Sequence, residues 1–416
     1  MNKIKEKVQK EALNKLIENN GGLISLETGV GKSKIAIDYI KQGNFRNVLI
    51  TSPRTSLKEN WLKELKKWYN ENNPLIKSGS YYFETCVYTI ENIQTCYKWD
   101  SDVINSFDVI ILDEWHTTAT PKYSLIMEKK NSILIGLTAT PELNKPEKKE
   151  LSDKYCPLVF DYDTSAEDGL INKVQYYIVE HELSDDWKVM GGTKKHPFLI
   201  GEASQYAYLT QNIKKGQIGM KRVGSTNWWN DAKKWGWDKD GTDEQQLAAI
   251  KYLNAIKFRK EFLLGLNSTA NISKKLIRTI LSENNDNKVL IFSERIEQII
   301  KMTKHIVHGK QNQKLNAINF YKFDKGQIRD LGSVQSLTLG VNIKNPTHSI
   351  IESYVGSSTV LQQRKGRNQR LNINEIAHVF IFRVVNTQAG ESWFDKATKN
   401  LDLSNAITFK SYDIKY

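Results

Sequence analysis

Cysteine is scarce and long apolar runs are missing from this chain. Its three cysteines, Cys86, Cys96 and Cys156, form neither an even disulfide framework nor a CxxC pair, which excludes a disulfide-stapled fold and suits a reducing compartment. No run of about 18 apolar residues occurs, so no membrane-spanning helix and no membrane partner is expected. The opening MNKIKEKVQKEALNKLIENN is charged and helix-like, without the apolar stretch of a secretory signal. His305 and His308 lie three apart in a predicted helix but lack a Cys or carboxylate cluster, so they predict no metal site. No repeat at a solenoid period is present.

What the chain does have is positive charge: a formal net charge of +13 over 416 residues. Lysine and arginine that neutralise phosphates release condensed counterions, so nucleic acid is the favoured partner. An AT-rich genome, which inflates Lys and Asn, gives the same excess without function. A 39% share of apolar residues, 10% of the chain being aromatic, suffices for packed cores. The length is too great for one α/β core and predicts two large domains plus an insert.

From Gly21 to about Phe160 short apolar runs (GLISLE, VLITSP, TCVYTI, FDVIILDE, SILIGLTA) alternate with helical patterns, which predicts a parallel sheet. Between Thr55 and Tyr69, Leu57, Trp61, Leu62, Leu65 and Trp68 recur at helical spacing, the tryptophans reading as core. A second α/β block starts near Ile272 and runs through KVLIFS, NAINFYKF, SIIESY and HVFIFRVV to a helix around Trp393. Between the blocks the composition turns to Gly, Lys and Trp, with Trp187, Trp228, Trp229, Trp235 and Trp237 among the chain's ten tryptophans. That insert ends in a helical pattern carried by Leu247, Ile250, Leu253, Ile256 and Phe262. The expected division is 1–165, 166–265 and 266–416.

The strand GLISLE runs into TGVGKS and then a helix, the order that a phosphate cradle requires. In Thr28, Gly29, Val30, Gly31, Lys32 and Ser33, the glycines let backbone N–H groups approach an anion. Lys32 supplies charge to the β and γ phosphates and Ser33 a magnesium ligand. A strict phosphate-loop motif has glycine where Leu26 stands. About 80 residues on, Asp113 and Glu114 end a strongly apolar strand, where ligands of open parallel sheets collect. Asp113 is placed to hold magnesium, and Glu114 to orient or deprotonate the attacking water.

With Asp113-Glu114-Trp115-His116 as motif II, the chain resembles the DExH branch of superfamily 2 helicases, of the bacteriophage or restriction and repair type. TGVGKS resembles motif I, TSPRTSLKENW motif Ia, LTATP motif III, KVLIFSERIEQI motif IV, SVQSLTLGVNIKN motif V and QQRKGRNQR motif VI. The resemblance implies two tandem RecA-like P-loop lobes, parallel sheets flanked by helices, with an inserted, partly helical accessory segment. ATP and Mg2+ would lie in the cleft between the lobes. It implies Gln9 as adenine reader, Arg367 and Arg370 as arginine fingers, Gln363 as a water or γ-phosphate contact, and Gly340 and Asn342 near the ribose. Asn342 departs from the family's acidic residue. His116, Thr138 and Thr140 become coupling residues, with His116 bridging to motif VI or merely capping its loop. Pro53, Arg54, Thr55, Ser293, Arg295 and Ser336 become nucleic-acid contacts.

Trp229 and Trp235, among lysines, suit either base stacking or a small core in a thin insert. The sum is an ATP-hydrolysing helicase or translocase of the bacterial or phage-infected cytoplasm, DNA favoured over RNA, with a monomer compatible with the sequence. The alternatives are an RNA helicase, a remodeller of duplex or branched DNA, and a non-catalytic nucleic-acid scaffold; the paired second lobe argues against a P-loop kinase or GTPase.

Overall fold

The computed structural model describes residues 3–53, 55–128, 132–162, 170, 173–192, 196–334, 346–355 and 375–414, the side chains of 55–57 excepted. They form two compact units, one within 3–175, 346–347 and 375–378 and one within 176–334, 348–355 and 379–414.

The first unit holds β1 (Gly22–Leu26), β2 (Asn47–Ser52), β3 (Leu75–Lys77), β4 (Ser80–Phe83), β5 (Cys86–Asn92), β6 (Val109–Asp113), β7 (Ile133–Thr138) and β8 (Leu158–Tyr162). Its helices are α1 (Lys3–Glu18), α2 (Lys32–Gln42), α3 (Thr55–Tyr69), α4 (Ile93–Cys96), α5 (Ser101–Asn105), α6 (Trp115–Thr118) and α7 (Pro146–Tyr155). The sheet order is β3-β4-β5-β2-β6-β7-β1-β8, parallel from β5 to β8. Successive strand residues face opposite sides, so an apolar run without alternation must be covered on both. Val109 and Ile111 accordingly join one core with α1, α2 and α3, while Ile110 and Leu112 join another with Trp115 and Cys156. The β3–β4 hairpin, absent from the sequence expectation, closes through Ser78 and Gly79, both at positive φ as a tight two-residue turn requires.

The second unit carries a seven-stranded sheet in the order β13-β14-β12-β15-β16-β9-β17. These strands are β9 (Val174–Glu182), β12 (Val289–Ser293), β13 (Ile306–His308), β14 (Asp330–Val334), β15 (His348–Ile351), β16 (Ala377–Val385) and β17 (Ile407–Lys410), with β10 (Lys188–Gly192) and β11 (Pro197–Gly201) forming a separate hairpin. The run from β13 through β15 is parallel. Helices α11 (Asn267–Glu283), α12 (Ile296–Met302), α13 (Gln313–Asp324) and α14 (Gln388–Thr398) complete the α/β part. One expectation is corrected here. His308 lies on strand β13 with His305 just before it, so the two do not share a helix. NAINFYKF is helical, Asn312 capping α13 by accepting from Lys314 N–H, and of this run only Phe323 is fully buried.

The insert folds as three helices, α8 (Glu202–Arg222), α9 (Trp228–Gly236) and α10 (Asp243–Leu263). Thr242 and Gln245 form a reciprocal capping box that starts α10. The buried face of α10 is Ala249, Tyr252 and Ala255, whereas Leu247 and Ile250 are exposed. Close crossing decides this, because a Cβ on Gly216 of α8 would stand 3.0 Å from Tyr252 Cα, and only small residues permit such an approach. Leu253 and Ile256 pack at the edge.

The bundle is tied to the second sheet by a buried polar chain. Glu202 accepts from Asn267 N–H, Ser268 N–H and Ser268 Oγ at 2.8, 3.2 and 2.6 Å, capping α11 from a distant part of the chain. His181 Nε2 lies 2.7 Å from the same Ser268 hydroxyl, and its Nδ1 lies 3.1 Å from Ser411 Oγ. Burial pushes His181 down to about 4. The folded protein therefore keeps His181 neutral where the unfolded chain protonates it, so stability should fall as pH drops from 6.5 to 4, by up to about 1.4 kcal/mol per pH unit. His181→Gln should flatten that acid-side slope, as measured by urea unfolding at pH 7 and pH 4.5.

Candidate functional site

The loop from β1 to α2 is shaped by two left-handed glycines, Gly29 at φ 99° and Gly31 at φ 107°. At Gly31 a side chain would be strained and its Cβ would stand 2.5 Å from Gln9 Nε2. Gly31 caps α2 without a side-chain bond, and no acidic residue occupies the first turn, which opens with Lys32 and Ser33. The orphan N–H groups and positive dipole end thus favour an anion. From α1, Gln9 Nε2 donates to Val30 O at 2.6 Å and Lys5 Nζ to Gly29 O at 2.7 Å, fixing the loop backbone. Thr28 N–H donates to the Glu27 carboxylate at 3.3 Å. Lys32 Nζ donates to Leu26 O at 2.8 Å. The departure at Leu26 is harmless to this geometry, because its carbonyl serves as any residue's would while its side chain is buried in the core.

Asp113 ends β6, beside β7 and one strand further from β1. Its Oδ2 accepts from Trp61 Nε1 at 2.8 Å and its Oδ1 from Glu114 N–H at 3.0 Å. Burial and the charge of Glu114 push its carboxyl up to about 7, against the opposing pull of Trp61 and Lys32. Glu114 is left-handed at φ 52°, an uncommon state for a side-chain-bearing residue, and one that occurs where surrounding structure enforces it. His116 Nδ1 lies 3.5 Å from Glu114 Oε2 and 3.2 Å from Thr138 Oγ1, and burial keeps the ring neutral by lowering its pKa. Thr138 Oγ1 in turn donates to Thr140 O and accepts from Thr140 N–H. The 28–33 loop with its partner Gln9, Asp113, Glu114, His116, Thr138 and Thr140 therefore belong to the carboxyl end of one parallel sheet.

Sequence reasoning missed Trp61 as a partner of Asp113, because helical spacing marks a core position without showing what the indole N–H meets. It also missed Lys5, and Gln94, whose Nε2 donates to Pro53 O at 3.2 Å and steadies the turn after β2. One expected nucleic-acid contact is corrected, and one open alternative is decided for the core. Ser293 is fully buried, its hydroxyl paired with Ser353 Oγ at 3.1 Å, and Trp235 lies in the core of the three-helix bundle. Packing takes both side chains away from a strand. Arg295 Nη1 donates to Glu261 O at 2.9 Å at the end of α10. Trp229 is exposed. Arg54, Ser336, Gly340, Asn342, Gln363, Arg367, Arg370 and the side chain of Thr55 lie outside the described residues.

The donor set fits a nucleotide with a divalent cation. A cation beside Asp113 relieves both causes of its raised pKa, and the loop accommodates phosphate oxygens. Without ligand, folded Asp113 holds a proton from about pH 4 to 7 that the unfolded chain has released. Stability should therefore fall as pH rises through that window, at up to about 1.4 kcal/mol per unit. In Asp113→Asn the difference between unfolding free energies at pH 5 and pH 7 should shrink by about 1–3 kcal/mol, as read from urea titrations.

The family model for the res subunit of type III restriction enzymes matches residues 3–143, and that for the helicase conserved C-terminal domain matches residues 271–372. The DNA 3'-5' translocase XPB2 of Sulfurisphaera tokodaii is 23% identical over 376 residues, covering 88% of this chain and 79% of its own. A probable helicase of Escherichia phage T5 is 27% identical over 119 residues, which is 28% of this chain and 26% of that protein. The Hef helicase domain of Pyrococcus furiosus has a TM-score of 0.56 at 15% identity, with 90% of this chain and 94% of that one covered. The Mycobacterium smegmatis helicase Lhr, solved with ssDNA and AMP-PNP, has a TM-score of 0.53 at 13% identity, covering 90% and 45%. With the phosphate loop, the acidic strand end and the second parallel sheet in place, the chain belongs to the superfamily 2 helicases and translocases, and its two units are RecA-like α/β lobes.

Proposed function

We propose that this chain is an ATP-hydrolysing motor that moves on DNA. The observation that carries the proposal is the convergence of the Thr28–Ser33 loop, Asp113–Glu114 and the His116–Thr138 contact at the carboxyl ends of β1, β6 and β7. An isolated phosphate loop serves many enzymes. A loop joined to a catalytic acid, and that acid to a hydrogen-bonded relay, is what a motor needs to pass hydrolysis into movement.

In this reading Lys32 and the loop N–H groups bind the β and γ phosphates, Gln9 stands beside the base, and Gly340 and Asn342 meet the ribose. Ser33 and Asp113 hold Mg2+, which supplies charge neutralisation on the phosphates when bound. Glu114 takes the proton of the attacking water, and its left-handed backbone sets the direction of its carboxylate. Gln363 orients that water, and Arg367 and Arg370 stabilise charge on the transferred phosphoryl group. His116, Thr138 and Thr140 relay the change at Glu114 into β7. Residues 1–165 form the nucleotide lobe, 166–265 the connection and accessory bundle together with strand β9 of the second sheet, and 266–416 the rest of the second lobe. Pro53, Arg54, Thr55 and Ser336 contact the strand. The translocase name of the Sulfurisphaera relative and the net positive charge support DNA as the track.

ATPase assays with single-stranded, duplex and branched DNA and with RNA test this. DNA should stimulate turnover, and Lys32→Ala should lower kcat about 100-fold or more. Stimulation by RNA alone would sink the DNA assignment, and absence of turnover in the folded protein with every nucleic acid would sink the motor.

Trp61 is expected to act as a positioning residue for Asp113. Trp61→Phe keeps an aromatic ring but deletes the N–H donor to a charged acceptor, so affinity for Mn2+ in the presence of ADP should fall about tenfold, read by electron paramagnetic resonance. An unchanged affinity would mean that the indole only packs.

A further inference from the structure

The insert's exposed tryptophans are unused by the fold and by the nucleotide site. We infer that the solvent face of α9 is a one-sided stacking platform for an unpaired base, made by Trp229 and Trp237 with Lys233 beside both rings. This rests on the nucleic-acid reading proposed above.

The bundle core is complete without these rings. It consists of Ile213, Met220, Ala232, Trp235, Ala249, Tyr252 and Ala255, with Trp235 only 9% exposed. By contrast Trp228, Trp229 and Trp237 are 40, 43 and 61% exposed. Large aromatics are costly to leave in water, and three on and beside a nine-residue helix form a surface that asks for a partner.

Geometry restricts the partner. Trp229 and Trp237 meet edge to face, centroids 6.1 Å apart and planes at 78°. No base fits between rings so placed, since a sandwich needs parallel rings about 7 Å apart, two stacking distances. A base can instead lie on an outer ring face. Lys233 Nζ stands over the Trp229 ring at 4.6 Å from its centroid and over the Trp237 ring at 5.9 Å, so the cation takes one face of each ring and a base would stack on a face it leaves open, with positive charge close by.

The surrounding charge suits a phosphate backbone. Residues 221–240 carry Lys221, Arg222, Lys233, Lys234 and Lys239 against Asp231, Asp238 and Asp240. Asp231 is turned to the start of α9, accepting from Ser225 Oγ, Thr226 N–H and Asn227 N–H, and Asp240 pairs with Lys234 at 3.2 Å. The platform is also preorganised. Gln246 Nε2 donates to Lys239 O and Gly241 O, which holds the chain beyond Trp237, and Gln245 Nε2 donates to Val223 O, which holds the turn before α9. Aromatic faces with interleaved cations recognise single strands without reading sequence, because every base has a π-face.

The test uses the full chain with a fluorescein-labelled oligo-dT strand and a blunt duplex, read by anisotropy beside thermal melts. Trp237→Ala and Trp229→Ala should each bind the single strand about 5- to 100-fold more weakly, while the exposed-residue control Leu247→Ala binds as the wild type does. Trp237→Phe and Trp229→Phe, which keep a stacking face, should recover most of the loss even if an Ala variant melts early. Equal losses in the Phe and Ala variants would overturn stacking. Unchanged single-strand affinity in both Ala variants would overturn the platform while leaving the nucleic-acid reading intact, and if those variants also lost self-association in sedimentation the patch would be assigned to protein contact. Failure of the wild type to bind or be stimulated by any nucleic acid would instead remove the reading on which the inference rests.

Discussion

A carboxylate withdrawn from water at the end of an apolar strand is the constraint around which the first lobe is organised. Ionised Asp113 is unfavourable there unless donors meet it, and the structure provides Trp61 from α3 and the N–H of Glu114. The second donor comes with a left-handed Glu114, and that turn starts α6 in the direction that brings His116 to Thr138. The first requires α3 to pack with its indole edge toward β6. One buried carboxyl group is thus met by a helix, by the backbone of the acid beside it and, through that acid's turn, by the link to the next strand.

The second lobe follows the same rule with different groups. Glu202 and Glu352 are both buried, and burial raises both carboxyls. Glu202 caps α11, and Glu352 accepts from Thr269 Oγ1 and Gln298 Nε2 at 2.5 and 2.9 Å. Because α11 begins at Asn267, these two carboxyls grip the same helix start, one from the bundle and one from the end of β15. A buried acid that loses its donors is far more costly than an exposed one, so these contacts hold the bundle in register with the sheet beside it. The open face of α9 is then presented on a fixed support.

The parts of the site that were legible in sequence share a property: their chemistry depends on neighbours within a few residues. Glycines at 29 and 31, Lys32 at a helix start and two acids closing an apolar strand each define a local geometry. Trp61 was not legible as a site residue, because the periodicity that placed it in the core is blind to one N–H and its partner 52 residues away. Ser293 and Trp235 show the converse. The family resemblance marked Ser293 as a contact and composition left Trp235 open between stacking and core, and packing took both side chains inward.

The α/β class and the identity of the phosphate loop were determined by the sequence alone, since apolar runs buried on both faces and alternating with helices call for a covered parallel sheet, whereas the order of its strands came only from the tertiary structure. Which face of α10 is buried, which tryptophan of the insert is core and which is surface, and what Asp113 bonds to were decided only by tertiary structure. The reason is close approach: small residues at Gly216, Ala249 and Ala255 let two helices touch, and that contact outweighed the larger apolar side chains at Leu247 and Ile250.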